Sequence, residues 1–110
     1  MTKEELRQYR SIKLEICQLE HRLVTMDMMG HNDDITKPLR DLYRKKLEVL
    51  IEGQLKIENA IESLDPTERE LIRLRYIDGE EWLDICATIH YEWTQTHRIH
   101  ARALDKIKNL

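Results

Sequence analysis

Apolar residues recur along this chain at spacings of three and four. Tyr9, Ile12, Ile16, Leu19, Leu23 and Met26 alternate between the two, which is a coiled-coil seam over nearly three heptads. Thr2 and Glu5 form a capping box ahead of it. The pattern predicts a helix from Thr2 to about Met29, ended by Gly30, and His31 to Lys37 reads as a polar turn. A second stripe, Leu39, Tyr43, Leu47, Leu50, Ile57, Ile61 and Leu64, predicts a helix from Pro38 to about Leu64. Both helices would be roughly 40 Å long at the helical rise. Equal lengths and a short loop predict an antiparallel hairpin. Gly53 and Gln54 interrupt the second seam. A mid-helix Gly costs about 1 kcal/mol relative to Ala, so Gly53 marks either a weak spot or a close approach of another helix.

Three shorter periodic segments follow. Asp65-Pro66-Thr67-Glu68 opens the first, with Asp at the cap, Pro at the first helical position and Glu at the capping-box position. It runs to about Tyr76 and stops at Asp78-Gly79. Glu80-Glu81 begin the second, which sets Trp82, Ile85, Cys86 and Ile89 on one face. The third starts between Glu92 and Thr94 and carries Thr96, Ile99, Ala103, Leu104 and Ile107 as its apolar stripe. Two short helices joined by the tight link His90-Tyr91-Glu92-Trp93, the second of them basic, make a helix-turn-helix layout. The expected fold class is therefore all-α. Residues 1–64 form a helical hairpin that supports and oligomerises the protein, and residues 65–110 form the three-helix unit.

The hairpin has more apolar residues than one seam needs. Leu6, Leu14, Cys17, Val24 and Met28 flank the first stripe, and Leu42, Val49, Ile51 and Leu55 the second. Two helices cannot hide a stripe that broad. The surplus must face the C-terminal unit, a second copy of the chain or another protein; of these, self-association as a homo-oligomer, a dimer through residues 1–64, is the expectation.

Composition agrees with long helices: 41% hydrophobic and 35% charged residues, three Gly, two Pro and no Phe in 110 residues. The net charge of −3 is not the basic balance of a dedicated nucleic-acid binder. The last helix departs from that balance. Arg98, Arg102, Lys106 and Lys108 oppose the single acid Asp105 there, a local charge of +3. Arg98 and Arg102 share a face, with Thr94 and Gln95 near it, as a major-groove helix requires. An ordinary amphipathic helix with cations favoured by its dipole fits the spacing equally well. Asp78, Glu80, Glu81 and Asp84 cluster at a helix start, where the dipole favours them; a docking patch for a basic partner is the alternative.

Enzymatic chemistry finds no footing: there is no phosphate-cradling Gly loop, no nucleophile motif and no isolated carboxylate pair. Cys86, His90, His97 and His100 offer zinc-compatible atoms, but in no recognised finger spacing. No metal and no cofactor are expected. Cys17 and Cys86 sit beside stripe positions and are expected to be buried reduced thiols. No apolar run suits a membrane helix and no signal-peptide pattern is present, which predicts a cytoplasmic protein.

The segments LDPTEREL, LRYIDGEEW and DICATIHYEWTQTHRIHARALDKI resemble region four of bacterial sigma factors. They are especially similar to the sigma-four-like end of the small phage late-transcription regulators of the RinA/ArpU type. Glu68-Arg69, Leu74-Arg75-Tyr76, Asp78-Gly79, Trp82, Ile85, Tyr91, Arg98-Ile99-His100 and Ala103-Leu104 carry the resemblance. It covers residues 64–110 closely, and the N-terminal half only as a helical arrangement. The resemblance implies a transcription role, a DNA-reading last helix and contact with host RNA polymerase. It puts base or backbone contacts on Trp93, Thr94, His97 and Arg98. The residue reading adds Gln95, Arg102 and Lys106, the last two as phosphate contacts. Glu92 stands where that family usually has Ser or Thr, which makes Thr94 the expected replacement cap.

The expectation is thus a sequence-specific regulator of transcription that binds double-stranded DNA, an activator of phage late genes working in the bacterial cytoplasm. Two alternatives fit the same residues: a module that docks on RNA polymerase with little DNA affinity of its own, and a small DNA-packaging subunit.

Overall fold

The computed structural model describes all 110 residues, and every regular element in it is helical. The elements are α1 (Lys3–Arg7), α2 (Tyr9–Met28), α3 (Lys37–Glu62), α4 (Pro66–Ile72), α5 (Trp82–Ile89) and α6 (Trp93–Lys108). A π-helical turn, Arg73–Ile77, continues α4. No helix is long and apolar enough to cross a membrane.

The first predicted helix is divided. Thr2 caps α1, its hydroxyl accepting from the Glu5 N–H at 3.3 Å. At Gln8 the N–H bonds back to the carbonyl of Glu5, three residues earlier, and α2 restarts at Tyr9. Such a tightened turn has no composition signal, and the periodicity runs straight through it.

The chain forms two compact units. The first takes residues 1–10 together with 56–110, and so draws on both sides of Leu64-Asp65. Within it α4, α5 and α6 pack on one another. Leu71, Ile72, Ile85, Ile99, Ala103 and Ile107 fill its centre with Ile61 from α3. Leu6 is also fully buried. The sequence counts it among the surplus residues that must face the C-terminal unit, a second copy or another protein; the first of these holds for Leu6, which is a core residue of the unit that contains residues 65–110. Several polar ties fix the periphery. The Tyr9 hydroxyl donates to Glu58 Oε1 at 2.5 Å. Arg73 Nη2 donates to Glu58 at 2.9 Å and to Glu62 at 2.6 Å, while Arg69 Nη1 reaches Glu62 at 3.0 Å.

The second unit is residues 11–55. Gly30, at φ +74°, closes α2, and the His31 N–H reaches the Met26 carbonyl at 2.9 Å, as a left-handed Gly after a helix allows. The Asp33 carboxylate accepts from the Thr36 N–H at 2.9 Å and from its hydroxyl at 2.8 Å, ordering the turn into α3. The Arg22 guanidinium lies 5.8 Å from the Tyr43 ring centroid. A methyl group at Gly53 would meet only Ile12 Cδ1, at 3.9 Å. That is ordinary contact, so no close helix approach demands glycine there.

This unit leaves its flanking apolar residues uncovered. Leu14, Val24, Leu42, Val49, Ile51 and Leu55 are all exposed, Val49 by 63%. Cys17 is exposed and Cys86 half-buried, against the expectation of two buried thiols. Both lie at stripe edges, where one turn of register decides burial.

Candidate functional site

The site is built on α5, α6 and the three residues between them. His90 ends α5 in the left-handed region at φ 61°, ψ 39°, with the Tyr91 N–H bonded to the Cys86 carbonyl at 3.3 Å. A non-glycine residue held there costs energy, and it turns the chain within three residues. Glu92 then caps α6 from an extended conformation but offers no side-chain hydrogen bond, and Thr94 does not replace it. Thr94 lies inside the first turn of the helix, past the position from which a side chain can cap. The first N–H groups of α6 are therefore left without a side-chain acceptor. Thr96 is buried and its hydroxyl reaches the Tyr91 carbonyl at 3.4 Å, tying the helix to the link.

The seven residues singled out from sequence sort into three groups. Thr94, Gln95 and Arg98 are exposed, and no ion pair involves Arg98. Trp93 is 51% exposed and packs against the His97 ring, their centroids 4.5 Å apart. His97 is half-buried with its other neighbour, Trp82, at 4.3 Å. Its Nε2 is shielded and has no hydrogen-bond partner. Arg102 and Lys106 form the third group, because both turn toward α4. Lys106 Nζ donates to Glu68 Oε1 at 2.7 Å and to Asp65 Oδ2 at 3.0 Å, and Arg102 Nε stands 3.5 Å from Glu68 Oε2.

Glu68 is the residue whose importance the sequence understated. Its side chain is only 2% exposed. One oxygen accepts from the Asp65 N–H at 3.2 Å, completing the predicted capping box, and the same carboxylate gathers the two cations of α6. Hydrogen bonds from Lys106, first to Glu68 and then to Asp65, push the lysine pKa up. The capping box was legible from Asp65 and Glu68 alone, whereas the tie to Lys106 joins residues far apart in sequence.

Behind α6 lies an aromatic cluster. The Tyr76 hydroxyl and His100 Nε2 share a buried hydrogen bond of 2.7 Å. Trp82 meets the His100 ring edge-on at 4.7 Å, and the Arg75 guanidinium lies 4.8 Å from the Trp82 ring centroid. Burial pushes the His100 pKa down from 6.5 to about 4, helped by the charges of Lys3, His97 and Arg75. His100 is therefore neutral in the folded chain at pH 6, while in the unfolded chain it is protonated below about 6.5. Its contribution is fully present above pH 6.5 and is lost as pH falls toward 4. Between pH 6.5 and 5 the carboxylates remain largely ionised, so this window isolates the histidine. The expected loss across it is about 1–2 kcal/mol, read from urea midpoints. His100→Gln, which keeps a hydrogen-bonding partner for Tyr76, is expected to flatten the profile; an unchanged slope would contradict this.

No group of three or more His, Cys, Asp or Glu side chains is arranged to hold a metal ion. No protein-family model, curated protein or solved structure matches this chain.

Proposed function

We propose that the chain is a sequence-specific DNA-binding regulator of transcription, an activator of phage late genes, with α5 and α6 as its helix-turn-helix. The observation that carries this reading is the division of labour among the cations of α6. Arg102 and Lys106 are held by acids of α4. Arg98 keeps an exposed, unpaired guanidinium beside exposed Thr94 and Gln95, one turn into the helix. Base edges are reached from the N-terminal half of a recognition helix, and a free guanidinium there can pair with guanine in two hydrogen bonds. The resemblance to sigma region four supports the same assignment. Selection of duplexes from a random library by the intact protein tests it: an enriched motif is expected, and recovery of unenriched sequence would reject the reading.

The second reading is docking on RNA polymerase with little DNA affinity. It is favoured by two features, the net charge of −3 and the acidic Glu92 at the start of α6, which repels phosphate where a reader would welcome it.

In this proposal residues 11–55 are an antiparallel hairpin, supported by Arg22 meeting Tyr43 and Ile12 meeting Gly53. Its uncovered Leu42 and Val49 pair with a second copy of the chain. Light scattering at tens of micromolar, the range of weak coiled-coil affinities, is expected to give a dimer. Leu42→Glu with Val49→Glu is expected to give a monomer of unchanged helicity. A monomeric parent chain would contradict the pairing.

A further inference from the structure

Apart from the exposed face of α6, the first unit holds a cleft of about 340 Å³. Four cations converge on it: Lys3, Arg7 and Arg10 from the N-terminal segment, and Arg75 from the π-helical turn. No carboxylate is among the residues that line it. Only Arg7 has an acid partner, Glu4 at 3.3 Å, in an exposed pair that holds it weakly.

Two of these guanidinium groups are set in position. Arg75 rests on the Trp82 ring and donates to the Glu80 carbonyl at 3.0 Å. Arg10 lies over Gly79, in the space that a Cβ there would fill. Gly79 sits at φ +71°, so its lack of a side chain both permits the turn and admits the guanidinium. His100 also lines the cleft and is neutral at pH 7, its hydrogen bond going to Tyr76. The four cations outnumber the one acid, Glu4, that pairs with Arg7 at the cleft, and their mutual repulsion is relieved when a polyanion enters.

Size and charge narrow the ligand. One phosphoryl group carries about −1.5 to −2 at pH 7, and four cations match two such groups. The volume lies at the low end of small-ligand sites, roughly 300–1,000 Å³, and exceeds what a single phosphate needs. Trp82 is already contacted by Arg75, His97 and His100, so no free indole face invites a stacked base. Arginine forks bind phosphoryl oxygens in pairs.

We propose that this cleft binds a diphosphate group, carried by inorganic pyrophosphate or by a nucleoside diphosphate. The site is separate from the DNA reading and uses none of its residues.

Isothermal titration of the full chain at low ionic strength with pyrophosphate, ADP and inorganic phosphate tests it. Pyrophosphate is expected to bind one per chain, at least tenfold tighter than phosphate. Lys3→Gln with Arg10→Gln, both at exposed positions, is expected to weaken it at least tenfold with the melting curve unchanged. Lys45→Gln with Lys46→Gln removes the same charge from residues 11–55 and is expected to change nothing. ADP binding as tightly as pyrophosphate would identify the diphosphate alone as the recognised group; tighter ADP binding would identify the nucleoside diphosphate. Pyrophosphate binding no tighter than phosphate, or equal weakening by both double substitutions, would overturn the proposal.

Discussion

Glu68→Ala is expected to lower the stability of the unit that carries α6 by about 2–3 kcal/mol. Three losses add. The Asp65 N–H loses its acceptor and α4 its capping box, typically about 1 kcal/mol. Lys106 loses the shorter of its two carboxylate bonds and Arg102 its acidic neighbour. The space of an almost fully buried side chain is left empty. Glu68→Gln keeps the shape and an acceptor for Asp65, and is expected to lose less. Thermal unfolding reads both; a Glu68→Ala protein that melts with the parent would show that α6 is not anchored to α4 through this residue. The same substitution frees Arg102 for phosphate and leaves Lys106 tied to Asp65 alone. Non-specific DNA affinity should then rise and its salt dependence steepen, by up to about two phosphate contacts' worth of slope.

Arg98→Ala is expected to weaken binding to the protein's preferred duplex by roughly 5- to 150-fold, the equivalent of about 1–3 kcal/mol for one bidentate contact with guanine. Unlike Glu68, Arg98 supports nothing within the fold, so its loss should leave the melting temperature unchanged. Arg73→Ala is the opposite case. Its guanidinium is committed to Glu58 and Glu62, and its removal should affect stability while leaving DNA preference alone. Arg102 and Lys106 fall between, since any phosphate they contact must compete with Glu68.

Much of the architecture was legible because helical periodicity reports it directly. The stripe of α6 predicted Thr96, Ile99, Ala103, Leu104 and Ile107 as inward-facing; four of the five are buried and Leu104 is half-buried. Caps were legible at Thr2 and at Asp65 with Glu68, where side-chain chemistry is local. What escaped depends on distance or on unmarked backbone geometry. The break at Gln8 and the π-helical turn at Arg73–Ile77 leave the apolar pattern intact. The ion pairs of Lys106 and the convergence of Lys3, Arg7 and Arg10 on Arg75 join segments that no sequence window contains. Leu6 was legible as surplus to the seam, but its sequence position did not say which surface would cover it; it is buried in the unit that contains residues 65–110. Of the seven residues singled out on α6, sequence set Arg98 apart from Arg102 and Lys106 by position, but gave no sign that Glu68 of α4 pairs with the last two.

The central claim is that the exposed face of α6 reads DNA through Arg98. Fluorescence anisotropy on the duplex enriched by the intact protein, at two salt concentrations, tests it with the parent chain and Arg98→Ala. The account predicts a loss of roughly 5- to 150-fold at both salts, with binding to an unrelated duplex reduced far less. If Arg98→Ala binds the enriched duplex as tightly as the parent, α6 is not the reader and docking on polymerase becomes the better account.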